Sequence, residues 1–299
     1  MGLRARRPAH RAGSARVPAP GAGRGGGGIV ALSRSSPERL PGIVDSHCHL
    51  QHEQFDADRE AVLQRAGDRG VARILVPGWD LYSSEAALEL AARHGPLVLA
   101  AVGIHPHHAA AADEAAWARI ELLAADPQCI AVGEIGLDFH RNLSPPAIQH
   151  EAFARQLDLA GRLDLPVLVH DREAHDAVTD ALLAWDGGRG RRARGVLHAY
   201  SGDGPMAMRV ADAGFLVSFA LPVSFRSAHG PRAAAAALAG DRILTETDAP
   251  YLGPEAGRRN EPATVLRVAA ELARLRQSTP EEIAAAGARA FAQLAPAST

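Results

Sequence analysis

From residue 43 onward, apolar residues gather in eight short runs: Ile43–Val44, Arg73–Pro77, Leu97–Gly103, Cys129–Ile135, Pro166–His170, Gly195–His198, Phe215–Ala220 and Arg242–Glu246. Each has about strand length and is rich in Val, Ile or Leu. Between them, apolar positions recur at helical spacing. Phe153, Leu157, Ala160 and Leu163 mark one face of a helix before Pro166, and Val265, Val268, Leu272 and Leu275 mark another near the carboxyl end. A run followed by a helical stretch, repeated eight times, predicts βα units around a parallel sheet. Eight units in roughly 250 residues are the usual size of a closed (β/α)₈ TIM barrel, an α/β fold. No glycine-rich dinucleotide fingerprint follows the first run, which argues against a doubly wound sheet. The least marked pair is run seven and the helix after it, expected over the alanine-rich Pro231–Leu238. The reading is a single barrel domain over residues 41–299, preceded by an extension over residues 1–40.

In such a barrel, chemistry sits where the strands end at their carboxyl side. Six of the eight runs deliver His, Glu or Asp there: Asp45-Ser46-His47-Cys48-His49, Gly103-Ile104-His105-Pro106-His107-His108, Gly133-Glu134-Ile135-Gly136-Leu137-Asp138, His170-Asp171-Arg172, His198-Ala199-Tyr200-Ser201-Gly202 and Glu246-Thr247-Asp248-Ala249-Pro250. His47 and His49, two apart on a strand, point to one side and can give one ion two nitrogens, with Cys48 turned away into packing. Taken alone, such a pair is equally well two solvated turn histidines; Glu134 and Asp248 at equivalent ends make it a metal site.

Glu134 closes an apolar strand, where a carboxylate is costly unless paired or metal-bound. His170 and His198 can ligate a second ion with Glu134; the alternative is buried, hydrogen-bonded structural histidines. Arg172 can hold a phosphate through a bidentate contact or serve as a surface ion pair. Asp248 can ligate the first ion and accept a proton from an attacking water. Glu246, two residues earlier, is read as a supporting residue. His105 can donate to a phosphate oxygen or hold the water, and His107 reads as a loop residue with a possible substrate-side role. His52, His94, His140, His150, His175 and His229 carry no supporting context.

Composition narrows the chemistry. All 32 basic residues are arginine. Schiff-base catalysis, a phosphate-loop lysine and a bridging carbamylated lysine are therefore excluded, which leaves Glu134 as the natural oxygen bridge between two ions; a salt bridge to an arginine is its alternative. Cys48 and Cys129 form no disulfide framework and no cysteine-type zinc site, which suits a reducing compartment, read as the cytoplasm. No apolar stretch is long enough to span a membrane. Residues 1–40 hold eight arginines against Glu38 alone, leaving 24 arginines against 33 acids afterwards, a balance of about −9. The first segment is too poor in apolar surface to fold and lacks a secretory core, so it reads as a disordered Arg/Gly/Pro-rich extension, with a targeting or nucleic-acid-contacting arm as the alternative. The acidic body offers no broad surface for duplex nucleic acid. A single-strand end placed over a local metal charge fits better, although stacking aromatics are scarce, with only Tyr200, Phe139 and Tyr251 near the expected rim.

The strand-end motifs quoted above, extended by Tyr251-Leu252 and joined by Arg259-Asn260-Glu261-Pro262, resemble the TatD family of metal-dependent deoxyribonucleases over roughly residues 43–293. That resemblance implies an amidohydrolase-type barrel, one to three divalent ions and hydrolysis of DNA phosphodiester bonds. It assigns His47, His49, Glu134 and Asp248 to a first ion, Glu134, His170 and His198 to a second, and His105 and Arg172 to the substrate side. Ala199 departs from the cysteine frequent in the family, at a position that is not a ligand. The expected activity is exonuclease-like 3′–5′ hydrolysis of DNA or another phosphodiester. Two divalent ions (Zn, Mn or Mg) would support it, with Asp248 and His105 catalytic and no membrane or obligate protein partner. The alternatives are an amidohydrolase-type enzyme acting on a C–N or ester bond, aminoacyl-tRNA deacylation included, and a non-catalytic metal-binding barrel.

Overall fold

A computed structural model describes residues 37–294. The extension expected over residues 1–40 lies outside these, apart from its last four residues. Of those, Leu40 is buried, and the Pro37 carbonyl accepts from Arg69.

Eight parallel strands follow one another around the sheet in chain order. They are β1 (Ile43–Asp45), β2 (Val71–Pro77), β3 (Val98–Val102), β4 (Cys129–Asp138), β5 (Val167–Arg172), β6 (Gly195–Leu197), β7 (Phe215–Phe219) and β8 (Ile243–Thr245). Ser46 N donates to Thr245 O at 3.0 Å and Thr245 Oγ1 to Val44 O at 2.8 Å, which brings β8 against β1 and nearly closes the barrel. The connecting helices are α1 (Arg59–Asp68), α2 (Leu81–His94), α3 (Glu114–Ala124), α4 (Pro146–Arg162), α5 (His175–Ala184), α6 (Gly204–Asp212), α7 (His229–Ala237), α8 (Val265–Arg276) and α9 (Pro280–Ala292). The alanine-rich helix starts two residues earlier than its composition suggests. Several helix starts carry their own signal: Asp80 and Thr279 form capping boxes, and Asp113 and Asp203 cap α3 and α6.

The core has two parts. The larger lies between strands and helices and takes in Phe153, Leu157 and Ala160 of α4 and Val265, Val268 and Leu272 of α8, as their spacing predicts. The smaller fills the barrel with one residue from each strand: Val44, Leu75, Ala101, Ala131, Leu168, Val196, Leu216 and Leu244. Ala290, Phe291 and Leu294, at and just past the end of α9, pack against that layer and form the floor. Among the described residues the barrel interior is filled rather than open, and buried His, Glu and Asp side chains converge at its mouth.

Candidate metal centre

Each side chain at the mouth is placed by an identifiable local device. The β4–β5 register slips between Gly133 and Ile135, so that Glu134 is the extra residue of a bulge. Its neighbours Val132 and Ile135 stay in the outer core while the carboxylate enters the mouth. Gly136 makes this local path possible: its φ is +138°, and a Cβ there would collide with the His170 carbonyl. Two buried glutamines of α4 clamp neighbouring loops. Gln156 bonds both N and O of Ile104, and Gln149 bonds both N and O of Asp138. His47 and His49 lie past the end of β1, not on it. Their loop is carried forward by the Cys48–Ala249 bridge, and Cys48 is buried, as its alternate position requires. Asp248 sits at φ +53°, a left-handed conformation that aspartate tolerates better than most residues. Its N–H donates to His47 O, and Asn260 Nδ2 donates to Thr247 O beside it.

These devices bring six side chains around the one carboxylate of Glu134. On one side, Oε2 lies 3.3 Å from His47 Nε2 and 3.6 Å from His49 Nε2, with Asp248 Oδ1 at 3.7 and 3.4 Å from the same two nitrogens. The two imidazole nitrogens are 3.2 Å apart. On the other side, Oε1 lies 2.9 Å from His198 Nε2, 3.0 Å from His170 Nδ1 and 3.4 Å from His105 Nε2. Among the described residues, three sets of donor atoms lie within 4.8 Å of one another, close enough to share an ion: His47, His49 and Asp248; His105, Glu134 and His170; and His47, His198 and Glu246. So many buried lone pairs converging from nitrogen and carboxylate oxygen fit a divalent cation better than they fit one another.

Electrostatics follow from this crowding. Burial pushes the Glu134 carboxyl up, but the surrounding His198, His105 and His47 outweigh it and hold it well below its ordinary value. Burial likewise raises Asp248, and the His49 hydrogen bond with the charges of His47 and His49 carries it below normal. His198 and His170 are desolvated, yet Glu134 lifts the first well above the usual range, and Asp138 with Glu134 lifts the second. His47 is lowered, mainly by burial. His105 is pushed down to about 3, again mainly by burial, so it is neutral. Its Nδ1 accepts the His107 amide at 3.1 Å, which fixes the proton on Nε2 and makes that atom a donor.

Several supporting residues have little signal in the sequence. Asp138 is fully buried, and its Oδ2 lies 2.7 Å from His107 Nε2 and 3.3 Å from His170 Nε2, so it orients His170 from behind. His107 is thus tied to Asp138. Glu246, read as supportive, accepts from Ala199 N and stands 3.4 Å from His198 Nδ1. Asp45 accepts from Thr247 N and Oγ1, tying the first strand end to the last. The acid that closes run four was visible in its motif, but only the tertiary contact gives it a task. Arg172 ends β5 in register with Asp138 and is partly buried. Of the expected rim aromatics, Tyr200 is buried with its hydroxyl donated to Asp203 O, Phe139 packs on the core, and Tyr251 is exposed.

Comparison with known proteins identifies the family. Residues 44–295 match the TatD related DNase family. An uncharacterized metal-dependent hydrolase of Bacillus subtilis, YabD, is 38% identical over 245 residues, covering 81% of this chain and 94% of its own. A 3′-5′ ssDNA/RNA exonuclease TatD of Erwinia tasmaniensis is 36% identical over 250 residues, covering 81% and 95%. The crystal structure of YJJV, a TatD homolog from Escherichia coli, superposes with a TM-score of 0.78 at 33% identity, covering 85% of this chain and 97% of that one. With its eight-stranded barrel and clustered histidines and carboxylates, the chain belongs to the TatD-related family of metal-dependent hydrolases.

Proposed function

We propose that this protein is an exonuclease-like phosphodiesterase acting on single-stranded DNA or RNA ends with two divalent ions. The observation that carries the reading is the Glu134 carboxylate, whose two oxygens face two separate donor sets. His47, His49, Glu134 and Asp248 would hold one ion, and Glu134, His170 and His198 the other. The mixed imidazole and carboxylate donors suit Zn²⁺ or Mn²⁺ better than Mg²⁺. Bound there, such ions would supply positive charge that polarises a phosphodiester and lowers the pKa of a water.

The chain's own residues supply the rest. Asp248, with a side chain 14% exposed, is the one donor of its set open enough to take a proton from an attacking water. His105, neutral with its proton on Nε2, offers a hydrogen bond where charge develops on a phosphoryl oxygen. Arg172 adds a guanidinium on the β5 side. The body is acidic, so affinity for a phosphate is local to this mouth, which favours a strand end over a long duplex. Two buried free cysteines suit action in the reducing cytoplasm. No helix among the described residues is long and apolar enough to cross a membrane.

The test compares wild type with Glu134→Ala for bound metal and for hydrolysis of a single-stranded oligonucleotide. Loss of both is expected; full metal content with full hydrolysis in the variant overturns the bridging role and this reading with it.

A further inference from the structure

Beside the His47–His49 half of the centre, three more rings gather that play no part in holding an ion. The Trp79 ring meets His49 edge to face at 5.2 Å, and Tyr251 meets His49 from another direction at 5.9 Å. His52 lies 6.1 Å from Trp79 and 5.9 Å from Tyr251, so the rings form a cradle around the His49 edge. Tyr251 is 47% exposed, one of the few large apolar side chains left open on the described surface, and Trp79 and His52 are partly exposed.

The cradle is held in place by bonds from the loops around it. Trp79 N donates to the Ser83 hydroxyl at 2.8 Å, and Trp79 O accepts from the His105 amide. Tyr251 N donates to Asp248 O, and Asn260 Nδ2 donates to Tyr251 O at 2.8 Å. Arg259 binds both oxygens of Asp58 at 2.7 Å and lies over the Phe55 ring, stapling the loop that carries Tyr251 to the one that carries His52. Partly exposed rings on loops held by these bonds present a site that loses little entropy on binding.

We propose that Trp79, His52 and Tyr251 form a stacking subsite for the nucleobase next to the bond that is cut. It rests on the phosphodiesterase reading above. A base lies one sugar away from its phosphate, and the cradle lies one imidazole, His49, away from the proposed ion site. Stacking on ring faces tolerates any base, so the subsite recognises a nucleotide without reading sequence.

The experiment uses the metal-loaded full chain and two short single-stranded oligonucleotides that differ only in whether the terminal residue carries adenine or is abasic. Wild type is expected to prefer the base-bearing end about tenfold or more in kcat/KM, mostly through KM, the order expected for one base–aromatic stack. In Tyr251→Ala that preference falls toward one, and Tyr251→Phe restores it. Separately, a phosphorothioate adenine-ended oligonucleotide should quench tryptophan emission more than its abasic counterpart, and Trp79→Phe should abolish the difference. Equal cleavage of both ends by wild type, a preference that survives in Tyr251→Ala, or equal quenching overturns the subsite while leaving the hydrolase reading intact. Cleavage of neither end rejects the phosphodiesterase reading itself, and the subsite with it.

Discussion

The two ends of this barrel are built from the same eight strands by opposite physics. At the floor, each strand gives one apolar side chain, and Phe291 and Leu294 seal the layer. Burial there stabilises the fold at roughly 25 cal/mol per Å² of apolar surface. At the mouth, the strands end in His47, His49, His105, Glu134, His170, His198 and Asp248, crowded within hydrogen-bond or ion-pair range of one another. That arrangement is costly without a cation, because charged and polar groups lose hydration for incomplete partners. The floor therefore maintains the scaffold, and the mouth holds polar groups placed to take up metal at a cost in burial.

The comparison is broken most sharply at Glu134. Glu134→Ala should lose activity by on the order of 10³-fold or more, with metal content reduced, because both donor sets share this residue. Asp248→Asn should lower kcat by about 10²–10⁴-fold with much of the metal retained, measured by steady-state kinetics alongside elemental analysis.

Phe291→Ala at the floor should do the reverse. It is expected to cost about 3–5 kcal/mol in denaturant unfolding, while kcat/KM of the folded fraction stays at the wild-type level. Asp138→Asn, which removes the charge behind His170, should weaken ion binding by about 10–100-fold in a calorimetric titration without abolishing it. The smallest effect is a pH dependence. In the metal-free protein, Glu134 and Asp138 raise the affinity of His170 and His198 for protons. Protons therefore compete with the ions through and somewhat above the ordinary histidine range, and apparent metal affinity should rise with pH across that window. A flat profile there would remove these two histidines from the site.

Much of this was legible in the linear chain because its devices are periodic or local. The eight apolar runs coincide with the eight strands to within a few residues, and the apolar stripes of α4 and α8 face the core. The convergence of strand-end residues was equally legible, since closing a parallel barrel brings every carboxyl end to one face. The route was less so. His47 and His49 converge from a loop past β1, and Glu134 enters through a bulge that strand alternation does not reveal. Asp138, Asp45 and the two clamping glutamines act across sequence separations that no local pattern encodes. Trp79 and His52 escaped because a search for ligands passes over an aromatic at the end of β2 and a lone histidine in a turn.

The sequence by itself determined the barrel, its polarity and the residues available at the mouth, because hydrophobic periodicity and strand-end chemistry are properties of neighbours along the chain. It also excluded a carbamylated-lysine bridge, since no lysine is present, which left Glu134 as the expected one. Only the tertiary structure decided which oxygen of Glu134 faces which histidines, which tautomer His105 adopts, and that Trp79, His52 and Tyr251 share one cradle. Those are matters of a few ångströms between segments from tens to about two hundred residues apart, fixed by side-chain packing and hydrogen bonds that exist only once the barrel has closed.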